Sequence, residues 1–142
     1  FSCKTDKDSW QAAVFEGASA NMEISFTVED FQCSSFGIVL ARPAAEISLS
    51  DLSHILVIEP KKDRVYLTNH TWDFQNCRSY TFEEGRKYDF RVLLMGNTIE
   101  FYINDELVFN SSLYSSGNYL PGIFANDGTL DVLNLKLFRL EE

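Results

Sequence analysis

The stretch from Tyr88 to Asn110, YDFRVLLMGNTIEFYINDELVFN, constrains the fold more than any other part of the chain. Tyr88, Phe90, Val92 and Leu94 alternate with Asp89, Arg91 and Leu93, the two-residue period of a strand packed on one face. Gly96-Asn97 then supplies residues that tolerate positive φ, as a two-residue hairpin turn requires. The next strand sets Ile99, Phe101 and Ile103 on one side and Glu100, Tyr102 and Asn104 on the other. Asn104-Asp105 provides a second tight turn, and Glu106 to Phe109 returns as the third strand. A three-stranded meander with one apolar face is not stable by itself, so a second sheet must cover it.

The remaining segments supply that cover. Trp10 to Glu16 suits a short strand with Trp10 in the core, and Gly17-Ala18-Ser19 suits a turn. Met22, Ile24, Phe26 and Val28 alternate with Glu23, Ser25, Thr27 and Glu29, a strand with one wet face. Phe36 to Arg42 reads as a more deeply buried strand closed by Pro43, and residues 43–53 as a loop or single helical turn. His54–Glu59 and Arg64–Thr68 form a hairpin around Pro60-Lys61-Lys62-Asp63. Asn69 to Ser79 has no periodicity and reads as a loop, Tyr80 to Phe82 pairs briefly, and Glu83 to Arg86 turns into the meander. Residues 111–120 are a polar loop, Pro121–Ala125 a short strand, and Asn126-Asp127-Gly128 a turn. In the last strand, Leu130–Leu140, Leu133, Leu135 and Leu137 share one face while Val132 and Phe138 share the other, a slip of phase that a β-bulge would reconcile. About ten short strands with turn signals every eight to twelve residues predict an all-β fold, a two-sheet antiparallel β-sandwich. We expect one domain over residues 1–142.

Hydrophobic residues make up 45% of the 142 and aromatics 14%, with twelve Phe, which excludes a disordered chain. No run is apolar for long enough to span a bilayer. The formal net charge of −9 repels phosphate, and Lys61-Lys62 and Arg86-Lys87 are the main basic clusters. Nucleic acid and membrane insertion are therefore not expected, whereas a neutral ligand is compatible. The start at Phe-Ser-Cys, without a charged n-region and apolar h-region, suggests a module excised from a larger protein. Three cysteines, Cys3, Cys33 and Cys77, lack zinc-site spacing and are read as small buried hydrophobes, with one bridge plus a free thiol left open. Two sequons, Asn69-His70-Thr71 and Asn110-Ser111-Ser112, carry meaning only in a eukaryotic secretory protein.

The block IEFYINDELVF, a polar loop, then GIFANDGTLDVLNLKLFRL resembles the end of concanavalin A-like jelly-roll sandwiches. It is similar in particular to the C-terminal module of family-32 glycoside hydrolases (invertases, inulinases, levanases) and to fructan-binding carbohydrate-binding modules. Ile99 to Asp105 matches a family strand of the type I-E-V-F-V-N-D-G, and FGIVLA and VYLTNH sit where the family has its paired central strands. In many members an Asp-Arg pair follows that second strand. Asn69-His70 stands there in this chain, so contacts resting on the pair do not carry over. The resemblance implies a non-catalytic module, extracellular or at the cell surface. It would bind a polysaccharide or oligosaccharide, with fructan or levan preferred, and tether a secreted glycoside hydrolase to its substrate. Two other roles fit the same resemblance: a structural sandwich that stabilises the adjacent catalytic domain in the parent chain, and a laminin-G-like protein-recognition domain.

Glucanases that share this sandwich carry Glu-x-Asp-x-Glu or Glu-x-Asp-x-x-Glu on one strand, as nucleophile and acid. Neither occurs here, and the two histidines, His54 and His70, suggest no nucleophilic triad, so no catalytic residues are assigned. A sugar site needs an aromatic platform and planar hydrogen-bonding groups. The richest supply is Arg64, Tyr66, Asn69, His70, Trp72 and Asp73, with Arg42 and Glu59 on neighbouring strands. Val65 and Leu67 should face the core, which turns Arg64, Tyr66 and Thr68 outward. Equally, Arg64 can pair with Glu59 across the hairpin turn, and Trp72 can cap the sandwich edge. Calcium, frequent in such sandwiches, would draw on Asp6, Asp8, Asn126, Asp127 and Asp131. The Asp-x-Asp-x-Asp-Gly loop is absent, so no cofactor is assigned. Outward Glu100, Tyr102 and Asn104 could instead dock a catalytic domain.

Overall fold

The computed structural model describes residues 2–4, 10–43, 47, 51–69, 76–113 and 117–140, and the side chains of residues 2–4, Trp10 and Asp30 are outside that set. Ten strands lie among the described residues: β1 (Ser2–Lys4), β2 (Trp10–Val14), β3 (Asn21–Ala41), β4 (Leu52–Glu59), β5 (Arg64–Thr68), β6 (Asn76–Ser79), β7 (Tyr88–Met95), β8 (Thr98–Ile103), β9 (Glu106–Ser112) and β10 (Leu120–Arg139). The expected strands at 22–29 and 36–42 are one strand, β3, of 21 residues. The pair expected at 121–125 and 130–140 is likewise one strand, β10, of 20 residues. Asn126-Asp127-Gly128 is therefore not a hairpin turn. It is a kink within β10, with Asp127 at φ 57° and the ladder to β3 continuing from Asn126↔Ser35 to Gly128↔Cys33. Only glycine fits at 128, because a Cβ there would lie 1.8 Å from the Gln32 carbonyl oxygen. The expected loop at 69–79 is also revised, since Asn76–Ser79 pairs with β5.

β3 and β10 run side by side along their length and bend together, so each belongs to both layers. In the first layer, the Phe36–Ala41 half of β3 pairs with β4, followed by β5 and β6, while the first half of β10 also pairs with β2. In the second layer, the Asn21–Val28 half of β3 pairs with β7, followed by β8 and β9. The result is the antiparallel sandwich that the alternation implied. Two register slips let the long pair keep its core face: one beside Glu29, opposite Asp131/Val132, and one between Leu133 and Lys136. At the second, Asn134 takes φ 53°. That bulge brings Leu135 and Leu137 to the core alongside Val132 and leaves Leu133 and Phe138 exposed. Leu133 thus does not share the face of Leu135, as simple alternation suggested.

The meander follows its pattern. Tyr88, Phe90, Val92, Leu94, Ile99, Phe101 and Ile103 all enter the main core with Met22, Ile24, Phe26 and Val28. Gly96 (φ 61°), Asn104 (φ 50°) and Asp105 (φ 64°) close the two turns in the left-handed region. Phe90 joins the layers: its ring lies 5.3 Å from Phe26 and 6.1 Å from Phe101 in the second layer, and 5.5 Å, edge-on, from Phe36 of the first. Cys33 is buried, as expected of a small hydrophobe, whereas Cys77 is exposed. Cys77 is a free thiol.

Truncating a fully buried ring that bridges two layers removes its transfer energy and leaves a cavity. Phe90→Ala should cost about 3–5 kcal/mol in urea unfolding, whereas Phe138→Ala, at a residue 51% exposed, should change stability by less than about 0.5 kcal/mol.

Candidate functional site

Most strands of a sandwich bury one face. The first layer buries much of both. Val65 and Leu67 of β5 enter the main core, but Tyr66 does not stand free in solvent as alternation predicted. It belongs to a second apolar cluster on the opposite face, with Val39, Ala41, Leu52, Ile55, Val57 and Phe124. Thr68, also expected to point outward, is fully buried. Burial on both faces explains why FGIVLA and HILVIE read as continuous apolar runs.

The register sets the shape of this outer face. One transverse row passes through Tyr66, Val57, Gly37 and Phe124 on β5, β4, β3 and β10. Gly37 lets the backbones and the Phe124 ring close up in this row, since a Cβ there would come within 1.9 Å of the Leu56 carbonyl oxygen and 3.2 Å of the Phe124 ring. Towards the hairpin turn the adjacent row is polar: Arg64 pairs with Glu59, and Ser35 with Asn126. Between the rows lies a depression of about 330 Å³, with Tyr66, Phe124 and Val57 as its apolar wall. Glu59, Ser34, Ser35 and Asn126 form its polar wall, and Lys61 and Lys62 line it from the turn.

Glu59 is the electrostatic centre of the depression. Arg64 Nε and Nη2 both donate to its Oε1 at 2.8 Å, and Lys62 Nζ lies 3.5 Å from Oε2. The cross-turn ion pair anticipated for Arg64 is therefore present. The Arg64 guanidinium also sits 5.2 Å over the Tyr66 ring, a cation–π contact. Burial pushes the Tyr66 phenol up to about 12, helped by the negative charge of Glu59 and by the hydrogen bond the phenol makes to that carboxylate. Three neighbours thus fix one carboxylate at the rim of a half-apolar hollow.

Of the residues singled out from sequence, Glu59, Arg64 and Tyr66 come together. Arg42 follows the far end of β3, where its Nε donates to Ser53 Oγ at 3.1 Å, and half-buried Asn69 follows the far end of β5. Both lie roughly 20 Å along the strands from Glu59. His70, Trp72 and Asp73 lie outside the described residues. Ser34, Ser35, Phe124 and Asn126 were not singled out as sugar contacts. Their part depends on pairing between segments about 90 residues apart in sequence (Ser35↔Asn126), and no local pattern announces it. Among the calcium candidates, Asn126 lines the depression, Asp127 Oδ2 accepts a 2.7 Å hydrogen bond from Ser34 Oγ, and Asp6 and Asp8 lie outside the described residues. No cluster of three or more His, Cys, Asp or Glu suited to a metal ion occurs among the described residues.

A second depression, about 410 Å³, lies on the outer face of the second layer and includes Ser25, Thr27, Asp89, Arg91 and Lys136. Three of its polar groups are engaged: Thr27 Oγ1 donates to Asp89 Oδ1 at 2.6 Å, and Arg91 lies 3.4 Å from Glu23 and 4.2 Å over the Tyr102 ring. Phe26 and Phe90 at its base are buried in the core.

Residues 2–139 match the family model described as glycosyl hydrolases family 32 C terminal. No curated protein matches the chain in sequence. Among solved structures, carbohydrate-binding module CBM66 from Bacillus subtilis superposes with a TM-score of 0.74 at 14% identity, covering 96% of this chain and 91% of that one. A sialidase superposes with a TM-score of 0.71 at 10% identity, covering 99% of this chain and 15% of that one. A toad ovary galectin in complex with thio-digalactose gives 0.64 at 9% identity, covering 91% and 98%. At these identities the likeness shows a shared fold.

The Tyr66 phenol tests the local electrostatics. Its raised value means that the folded state holds the phenolic proton longer than the unfolded chain, whose value is 10.0. The associated stability is complete below pH 10 and is lost as pH rises from 10 through about 12. Tyr80, raised by burial, and Tyr102, raised by its hydrogen bond to Glu100, also titrate late. Ultraviolet titration of the parent protein should show a phenol step near pH 12 that Tyr66→Phe lacks.

Proposed function

The chain belongs to the glycosyl hydrolase family 32 C-terminal family, and from that membership we propose that it is a carbohydrate-binding β-sandwich module. Its ligand in this reading is a fructan such as levan, and its part is binding rather than catalysis. The observation that carries this reading is the depression on the first layer, where Glu59, Asn126 and two serines line a hollow floored by the buried Tyr66 and Phe124 rings. Sugar rings have apolar C–H faces that stack on aromatic surfaces, and edges of hydroxyls that pair with carboxylates and amides. The Arg64–Glu59 pair holds the carboxylate in place, so less ordering entropy is lost when a ligand arrives. Joined to a glycoside hydrolase acting outside the cell, such a module keeps the enzyme on its polymer by raising local concentration.

Calorimetric titration with levan, inulin, fructose and unrelated glucans tests the reading. Levan and fructose should bind, and Tyr66→Ala or Glu59→Gln should weaken them by about tenfold or more, equivalent to about 1.4 kcal/mol. If no glycan binds at millimolar concentration, the proposal fails.

A second reading rests on a separate observation. The exposed large hydrophobic residues among the described set, Met95, Leu107, Leu133 and Phe138, all lie on second-layer strands. The outer face of β7 and β8 adds Arg91, Tyr102 and Glu100, with Tyr102 hydrogen-bonded to Glu100. This face would pack on an adjacent catalytic domain in the parent chain, leaving the first layer free. In the parent enzyme, Leu107→Ser with Phe138→Ser should then lower the melting temperature without changing sugar affinity. An unchanged melting temperature removes this second role.

A further inference from the structure

A second hollow of about 220 Å³ opens beside the first-layer depression. Phe31, Gln32, Pro60, Lys61, Phe82 and Glu84 line it, and Lys61 lines both hollows. The same two backbone segments build them. One is β3 where it crosses between the layers, giving Ser34 and Ser35 to the first hollow and Phe31 and Gln32 to the second. The other is the turn Pro60–Lys62. Residues 31 and 34 of an extended strand stand roughly 10 Å apart. The hollows are thus neighbours along one groove that rounds the rim of the sandwich.

The second hollow also combines aromatic rings with polar groups, and its rings are more exposed than the buried Tyr66 and Phe124 of the first. Phe31 and Phe82 are half-buried, with their rings edge-to-face at 6.4 Å, so part of their ring surface is held in position and part is open. Gln32 and Glu84 are exposed and present an amide and a carboxylate. Lys61, exposed at the saddle between them, has three donors and no acceptor, which suits oxygens on the ligand rather than its C–H faces. A single sugar ring in the first depression would leave the second hollow empty.

We infer that the two hollows are consecutive subsites and that the ligand is an oligosaccharide of at least two joined rings lying across Lys61. This rests on the carbohydrate-binding reading given above and extends it from one ring to a chain. Binding energy then accrues in two places, so affinity rises with the number of sugar units until both hollows are filled.

The test titrates the intact protein with fructose, levanbiose and levantriose. Levantriose should bind about tenfold more tightly than fructose, equivalent to about 1.4 kcal/mol. Phe82→Ala should bring that ratio towards one. Because Phe82 also touches Phe31 and Tyr88, Glu84→Ala serves as a second variant: Glu84 is exposed, its loss leaves the core intact, and it should also reduce the ratio. Equal affinity for fructose and levantriose, with both lost in Tyr66→Ala, overturns the second subsite and leaves the first standing. A ratio unchanged in both Phe82→Ala and Glu84→Ala overturns it too. Binding of none of the three sugars overturns this inference together with the reading on which it rests.

Discussion

The continuous ladder between β3 and β10 is the constraint from which the rest follows. Two strands of 21 and 20 residues pass through both layers, so neither layer can form in its native register without the other. Their even-numbered core residues, Met22 to Val28 on one side of the bend and Phe36 to Leu40 on the other, face the same interior. Between them the chain must turn a corner without losing phase. The slip beside Glu29 and the left-handed residue Asp127 of β10 lie within that corner. Bulges of this kind bend a strand and tighten its twist at the cost of locally disrupted ladder bonds, and here they allow one ladder to serve two sheets.

The corner also creates the groove. Where β3 crosses between layers, its side chains leave the regular inside–outside alternation, and Phe31, Gln32, Ser34 and Ser35 emerge at the rim next to the turn Pro60–Lys62. The apolar cluster around Tyr66 and Phe124 closes the depression from the side. A hollow therefore arises from backbone geometry that the fold already requires, with no loop inserted to build it.

How much of this was legible in the sequence depends on the range of the interaction. The meander was readable because its signals are local: alternation over six to eight residues and turn residues that accept positive φ. The hairpin at 54–68 and the Arg64–Glu59 pair were readable for the same reason. The length of β3 was hidden because Asp30 to Ser35 is largely polar and breaks the alternation, although the backbone continues as strand. Asn126-Asp127-Gly128 has turn chemistry and is used for a kink, since the partner strand holds both sides of it in one ladder. Tyr66 was assigned to solvent by a two-residue period that assumes one buried face, whereas this layer buries both. Ser34, Ser35, Phe124 and Asn126 join the depression only through long-range register, which a single sequence does not display.

The charge distribution ties these layers to the proposed role. The chain carries a formal charge of −9, yet the rim of the first-layer depression gathers Lys61, Lys62 and Arg64 around a single carboxylate. Glu59 is nearly buried, and a buried carboxylate is tolerated only when its lone pairs are satisfied. Arg64, Lys62 and the Tyr66 phenol satisfy part of them, and two of these, Lys62 and Tyr66, also line the hollow. Removing any one partner would leave the carboxylate to find another, and a ligand hydroxyl is a suitable substitute. The hydrogen-bonding capacity that stabilises the hairpin turn in the free protein is thus already aimed at the place where a sugar would sit. Under the proposed function, stability and recognition would draw on the same carboxylate there, on the face of a sheet that is otherwise packed as a core.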